Sequence, residues 1–153
     1  MVQAEGYRQL VFARAGGVCE YCRLVELATG VTFHVEHVVP RARGGQTVMS
    51  NLALSCPGCN LAKGDRTSGE DRSGRTQLLF NPRDYEPWLL GWHLHFVLDR
   101  NSGMVLPRTP VGEATVLALH MNGTERVFAR QVKIATLTEV FLMTSCRLQV
   151  QMA

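Results

Sequence analysis

Four cysteines, arranged as Cys19-x-x-Cys22 and Cys56-x-x-Cys59, bracket a run that reads His34-Val35-Glu36-His37-Val38-Val39-Pro40. Each pair can turn two thiolates toward one ion, and two pairs complete the tetrahedral set that zinc prefers. The 33 residues between the pairs are enough for a β-hairpin, whose ends the four sulfurs would clamp. Structural zinc supplies roughly 10–16 kcal/mol of apparent binding energy in small domains, more than a short hairpin gains by burial. Redox-active cysteines are the competing reading, and two pairs with no βαβ pattern nearby argue against it. Between the pairs, an acid beside an imidazole offers acid–base and metal-binding chemistry of its own.

The elements that must position these groups are readable in outline. Residues 7–15 form a short helix stopped by Gly16-Gly17. Residues 31–39, rich in Val, Thr and Phe, form a strand that Pro40 closes, and Gly44-Gly45 marks a turn. Residues 48–54 return toward the second cysteine pair, and a helix starts near Cys56–Asn60. Residues 64–76 are polar and glycine-rich and read as an exposed loop. Residues 92–106 alternate around Asn101-Ser102-Gly103 and predict a β-hairpin, with His93 and His95 on its wet face. Thr109-Pro110 caps a helix to about Asn122-Gly123 that includes His120. Residues 124–143 carry a second helical pattern burying Val127, Phe128, Ile134, Leu137 and Phe141.

The chain has 153 residues, 46% of them hydrophobic, which suits one globular unit of the α+β class. Residues 34–75 carry six basic and four acidic side chains and form the most basic part, compatible with a polyanion without requiring one. No apolar run approaches the roughly 20 residues needed to cross a bilayer. The opening Met1-Val2-Gln3-Ala4-Glu5 lacks the basic flank and apolar stretch of a secretory signal. A cytoplasmic, reducing setting with no membrane partner is therefore expected, and there paired cysteines read as metal sites before disulfides. Cys146, the fifth cysteine, is left over as a small apolar residue.

Taken together, Glu36-His37, Pro40, Gly44-Gly45, Asn51-Leu52, Cys56-x-x-Cys59-Asn60 and Lys63-Gly64 resemble the HNH endonucleases, in the zinc-knuckled version of the ββα-metal fold. The resemblance covers about 45 residues, from Cys19 to Lys63, and a looser one extends from Leu79-Phe80-Asn81-Pro82 into the C-terminal half. It implies an HNH core over residues 1–76 and a hairpin-and-helix extension packed on it over 77–153. By the same resemblance His37 is the general base, and Glu36 and Asn60 are ligands of a catalytic Mg²⁺ or Mn²⁺. Asn51 holds the loop carrying His37, and Zn²⁺ on Cys19, Cys22, Cys56 and Cys59 is structural. The family more often has Asp where this chain has Glu36. Strand alternation puts His34 on the face of Glu36, which makes it a further candidate for metal or phosphate contact.

Arg41, Arg43, Lys63 and Arg66 surround the proposed site in sequence and are the expected phosphate contacts. The expected partner is DNA and the expected reaction phosphodiester hydrolysis. A zinc-stabilised nucleic-acid-binding module without cleavage, and a zinc-held interaction domain, are the competing functions. Glu36-His37 with Asn60 favours the nuclease, because a pure binder needs no base beside a metal ligand.

Overall fold

The structure, a computed structural model, describes residues 2–136. It is a mixed α+β arrangement holding three separate two-stranded antiparallel sheets.

Helix α1 (Val2–Ala15) ends where Gly16 and Gly17 take positive φ values of 64° and 68°, a region that glycine enters without steric cost. Its inner side buries Val11 and Ala15, and Arg14 reaches across to donate to the carbonyls of Met49 and Leu52. The short α2 (Glu26–Thr29) is tied to α1 by the Arg8–Glu26 ion pair at 2.7 Å.

Strand β1 (His34–His37) pairs with β2 (Leu52–Ser55), with His34 opposite Ser55 and His37 opposite Leu52. Every residue of β2 is buried, so this strand passes through the core while β1 flanks it. Helix α3 (Pro57–Lys63) follows at once. Pro57 at its first turn and Cys56 at its N-cap, whose Sγ accepts from Cys59 N at 3.4 Å, fix where it starts.

Residues 64–76 are not a featureless loop. β3 (Ser68–Glu70) pairs with β4 (Thr76–Leu78), and the expected 76/77 boundary falls inside this hairpin. Its turn is organised by Asp71, whose carboxylate accepts from Ser73 N and Oγ, Arg75 N and Gln77 Nε2 at 2.6–3.1 Å.

The next departure is at residues 88–95, which form helix α4 (Trp88–His95) ahead of the hairpin β5 (Phe96–Leu98) and β6 (Val105–Pro107). Trp88, Gly91 and Trp92 are its buried positions, a three- and four-residue spacing that overrides the alternation of Trp92 to Phe96. Trp92 anchors the helix by donating from Nε1 to Tyr21 O at 2.7 Å. His95 is therefore no wet hairpin residue: it bonds Tyr85 Oη at 3.0 Å and Thr109 Oγ1 at 2.6 Å.

Helix α5 (Pro110–Ala118) starts at the expected cap, where Thr109 Oγ1 accepts from Gly112 N at 3.0 Å. It stops four residues earlier than expected, and His120 lies beyond it with φ of 48°. Residues 124–136 are helical and are called α6 here. Phe128, expected inside, is 65% exposed; Arg130 occupies the buried side of this helix instead. Leu137, Phe141 and Cys146 lie outside the described residues.

Aromatic rings join the two halves of the chain. Tyr21 meets Phe80 edge-on at 6.5 Å, and Phe96 contacts both Phe80 and Trp92 at 5.2 Å. Glu20 is fully buried between Arg14 and Arg83 and accepts from Leu54 N at 3.0 Å, so α1, β2 and the 81–84 turn share one charge cluster. No helix among the described residues is long and apolar enough to cross a membrane.

Candidate metal centre and HNH site

The first cysteine pair sits in a tight turn: Cys19 N donates to Leu24 O at 2.8 Å, and Arg23 N donates back to Cys19 O at 3.1 Å. The second pair is set by the start of α3. The two converge, and all four Sγ atoms lie within 4.8 Å of one another, fully buried, with Cys22 and Cys56 only 3.6 Å apart. That separation is far beyond a disulfide bond of about 2.05 Å. It matches sulfurs spread over a tetrahedron of roughly 2.3 Å metal–sulfur bonds.

The cluster's protons point the same way. Burial drives the Cys19 thiol well above its ordinary range, and the neighbouring sulfurs drive Cys59 up likewise, whereas hydrogen bonds from Cys19, Cys22 and Cys59 pull Cys56 down. Four crowded buried sulfurs can all ionise only around a cation. A soft thiolate set of four suits Zn²⁺, so these residues fit the ion on their own chemistry.

On β1 and its following loop, the described side chains divide between two faces. His37 is half-buried, with Nε2 2.8 Å from Thr47 Oγ1, and its carbonyl accepts from Lys63 Nζ at 3.0 Å. Burial first, then the charges of Arg41 and Lys63, lower its pKa below the usual 6.5. Asn51 closes the loop after His37. Its Oδ1 accepts from Val39 N at 2.9 Å, and its Nδ2 donates to Val39 O at 3.0 Å and Gln46 O at 2.9 Å. The loop is drawn in so closely at this point that a Cβ on Gly45 would fall 1.7 Å from Val39 O.

Glu36 points the other way, as alternation along a strand requires. It is 6% exposed, accepts from the hydroxyl of Tyr21, and lies 3.0 Å from Lys63 Nζ. Burial raises its pKa, and Lys63 is the main opposing influence. His34 and Glu36, expected on one face, have different surroundings, because His34 is exposed at the outer end of the strand.

Asn60 lies one turn before Lys63, so both occupy one face of α3, and its side chain makes no hydrogen bond among the described residues. The structure thus brings Glu36 and Lys63 together where β1 meets α3, with Asn60 one turn earlier on that helix, while Asn51 orders the loop after His37.

The basic residues correct one expectation. Lys63 is 2% exposed and engaged by Glu36 and the His37 carbonyl, so in this structure it presents no charge to a phosphate. Arg41 is exposed, and its side chain makes no hydrogen bond or ion pair among the described residues. Arg43 donates to Asp65 O at 2.6 Å, and Arg66 donates to the carbonyls of Ala62 and Ala118, yet both remain exposed. Sequence reasoning missed Tyr21, Thr47 and the inward turn of Lys63. Tyr21 carried a faint signal, as an aromatic placed inside a cysteine knuckle; Thr47 carried none.

Comparison with known families agrees with this stretch of chain. Residues 19–66 match the family model of the HNH endonucleases, which identifies an HNH domain there and indicates nuclease activity in general terms. No curated protein and no solved structure matches the chain.

Proposed function

We propose that the HNH segment is a metal-dependent endonuclease site that hydrolyses DNA phosphodiester bonds, with His37 as general base. The observation that carries this reading is the setting of His37. Its Nε2 is tied to Thr47, its carbonyl to Lys63, and its loop to Asn51, within the stretch that matches the family.

In the tautomer that donates Nε2–H to Thr47 Oγ1, the lone pair sits on Nδ1 and can take a proton from water. The water oxygen forms a bond to phosphorus, the bond from phosphorus to the 3′ oxygen breaks, and solvent protonates that oxygen. A positioned base contributes on the order of 10²–10⁴-fold. Arg41, with Arg43 and Arg66, binds backbone phosphates and reads no bases.

Glu36 and Asn60 supply hard oxygen donors of the kind Mg²⁺ or Mn²⁺ takes. When bound, such an ion neutralises charge developing at the leaving oxygen. The four cysteines hold a separate structural Zn²⁺. For Glu36 to serve as a ligand, Lys63 must release it. The same ion pair supports a second reading, a nucleic-acid-binding module in which Lys63 permanently replaces the divalent ion.

Plasmid cleavage with Mg²⁺ or Mn²⁺ separates them. Nicking or cutting that His37→Ala abolishes, with zinc content and melting unchanged, is expected for the nuclease. Retarded plasmid that is never cut favours the binding module, and equal cutting by the variant removes the mechanism.

A further inference from the structure

Helix α6 meets the cysteine cluster through two arginines one turn apart. Arg126 donates from Nη1 to Cys59 Sγ at 3.4 Å and to Leu119 O at 2.7 Å. It lies over Gly58, where a Cβ would come within 2.5 Å of its Nη2. Arg130 is 2% exposed and donates to the carbonyls of Gly103, Cys22 and Met121 at 2.6, 3.1 and 2.9 Å, and to Asn122 Oδ1 at 3.2 Å.

Among the described residues, no carboxylate pairs with either arginine. Arg23, a further cation beside the cluster, feels the charge of Cys19 and Cys22 but donates no hydrogen bond to a sulfur, its guanidinium stacking over Trp88 and Trp92 at 5.3 and 5.5 Å. A buried guanidinium ordinarily needs a counter-charge, and neutral carbonyls do not provide one. Four thiolates outweigh the charge of one divalent ion by about two negative charges. Two guanidinium groups balance that excess.

We propose that Arg126 and Arg130 are the counter-charges of the tetrathiolate centre, so that zinc retention and docking of helix α6 are one coupled event. The inference rests on the zinc reading above. In this arrangement Arg126 is an outer partner of Cys59, and Arg130 carries the remaining charge beneath it. Groups that bond to metal ligands commonly change metal affinity by 10–100-fold when replaced. Coupling of this kind is reciprocal: whatever loosens the helix must loosen the ion equally.

The test uses the full chain, purified with zinc, and two readouts other than cleavage. Zinc content comes first; a folded protein with none overturns the metal reading and this inference with it. Zinc transfer to a chromogenic chelator and amide hydrogen exchange across residues 124–136 are then compared for the parent, Arg126→Gln and Arg126→Lys. Arg126 is the informative position because it is only half-buried, so its variants should fold. Arg126→Gln is expected to speed transfer about tenfold and to raise exchange across α6. Arg126→Lys retains the charge and should stay near the parent on both. If Arg126→Gln holds zinc as the parent does, or if the lysine variant is as fast as the glutamine variant, packing and not charge joins helix to metal, and the proposal fails.

Discussion

Lys63 Nζ stands 3.0 Å from Glu36 Oε2, and both side chains are almost wholly removed from solvent. An ion pair in that position adds little net stability while intact, but removing one partner leaves a buried charge uncompensated. Lys63→Met is therefore expected to destabilise the fold by about 3–5 kcal/mol in chemical denaturation. Adding Glu36→Gln should recover most of that loss, because no charge is then stranded. Two single variants whose losses simply add would show that the residues do not act as a pair.

The ionisation of His37 fixes the acid side of any cleavage profile. Burial, Arg41 and Lys63 all disfavour the imidazolium and hold the pKa below 6.5. The neutral base therefore persists into mildly acidic solution. Cleavage should rise with pH through a midpoint below 6.5 and level off above it, and a cation bound nearby pushes in the same direction. Arg41→Ala removes the second cause and should move the acid limb up toward 6.5. A parent midpoint at or above that value in kcat/KM contradicts the assigned environment.

Asn51 spans the loop with three hydrogen bonds to Val39 and Gln46. Asn51→Ala strands those backbone groups, at about 1–3 kcal/mol if they stay dry. Cleavage should fall more than tenfold as the base loses its fixed position, with zinc content unaltered. Asn51→Asp keeps the acceptor and loses both donors, so it should fall between the two. Full activity in Asn51→Ala would show that the loop holds its shape without this residue.

Local requirements were the legible part of this chain. The cysteine spacing, the Gly44-Gly45 turn and the Thr109 cap each state a demand that a few neighbouring residues meet by themselves. Thr109 is the plainest case, with its hydroxyl on Gly112 N. Tertiary competition hid the rest. Trp92-His93-Leu94-His95 alternates like a strand, yet only the helix buries Trp88 and Trp92 together and hands the Trp92 indole N–H to Tyr21 O. Strands β3 and β4 are three residues long, with Gly69 at the centre of β3, too short for any pattern, and Asp71 builds their turn from side-chain bonds. Lys63 read as a phosphate contact, and Arg130 carried no signal, because composition does not say which cation will be buried. In the HNH stretch, the order of motif residues indicated the family, but not that Glu36 would be held by a lysine and a tyrosine.

Zinc removal should be felt by the whole fold, because the cluster joins the first knuckle, the start of α3 and the arginines of α6. Structural zinc contributes roughly 10–16 kcal/mol of apparent binding energy, as large as the usual 5–15 kcal/mol of total domain stability. Cys56→Ser removes a thiolate ligand while its hydroxyl can still cap Cys59 N, so the change reads the metal and not the helix start. The expected result is loss of bound zinc, measured by elemental analysis, together with a lowered or absent thermal transition. Chelation of the parent should reproduce that transition and re-addition of Zn²⁺ should restore it. A variant that melts like the parent with its zinc retained would remove the four-sulfur centre from the account of stability, because no other group among the described residues gathers three or more metal-binding side chains.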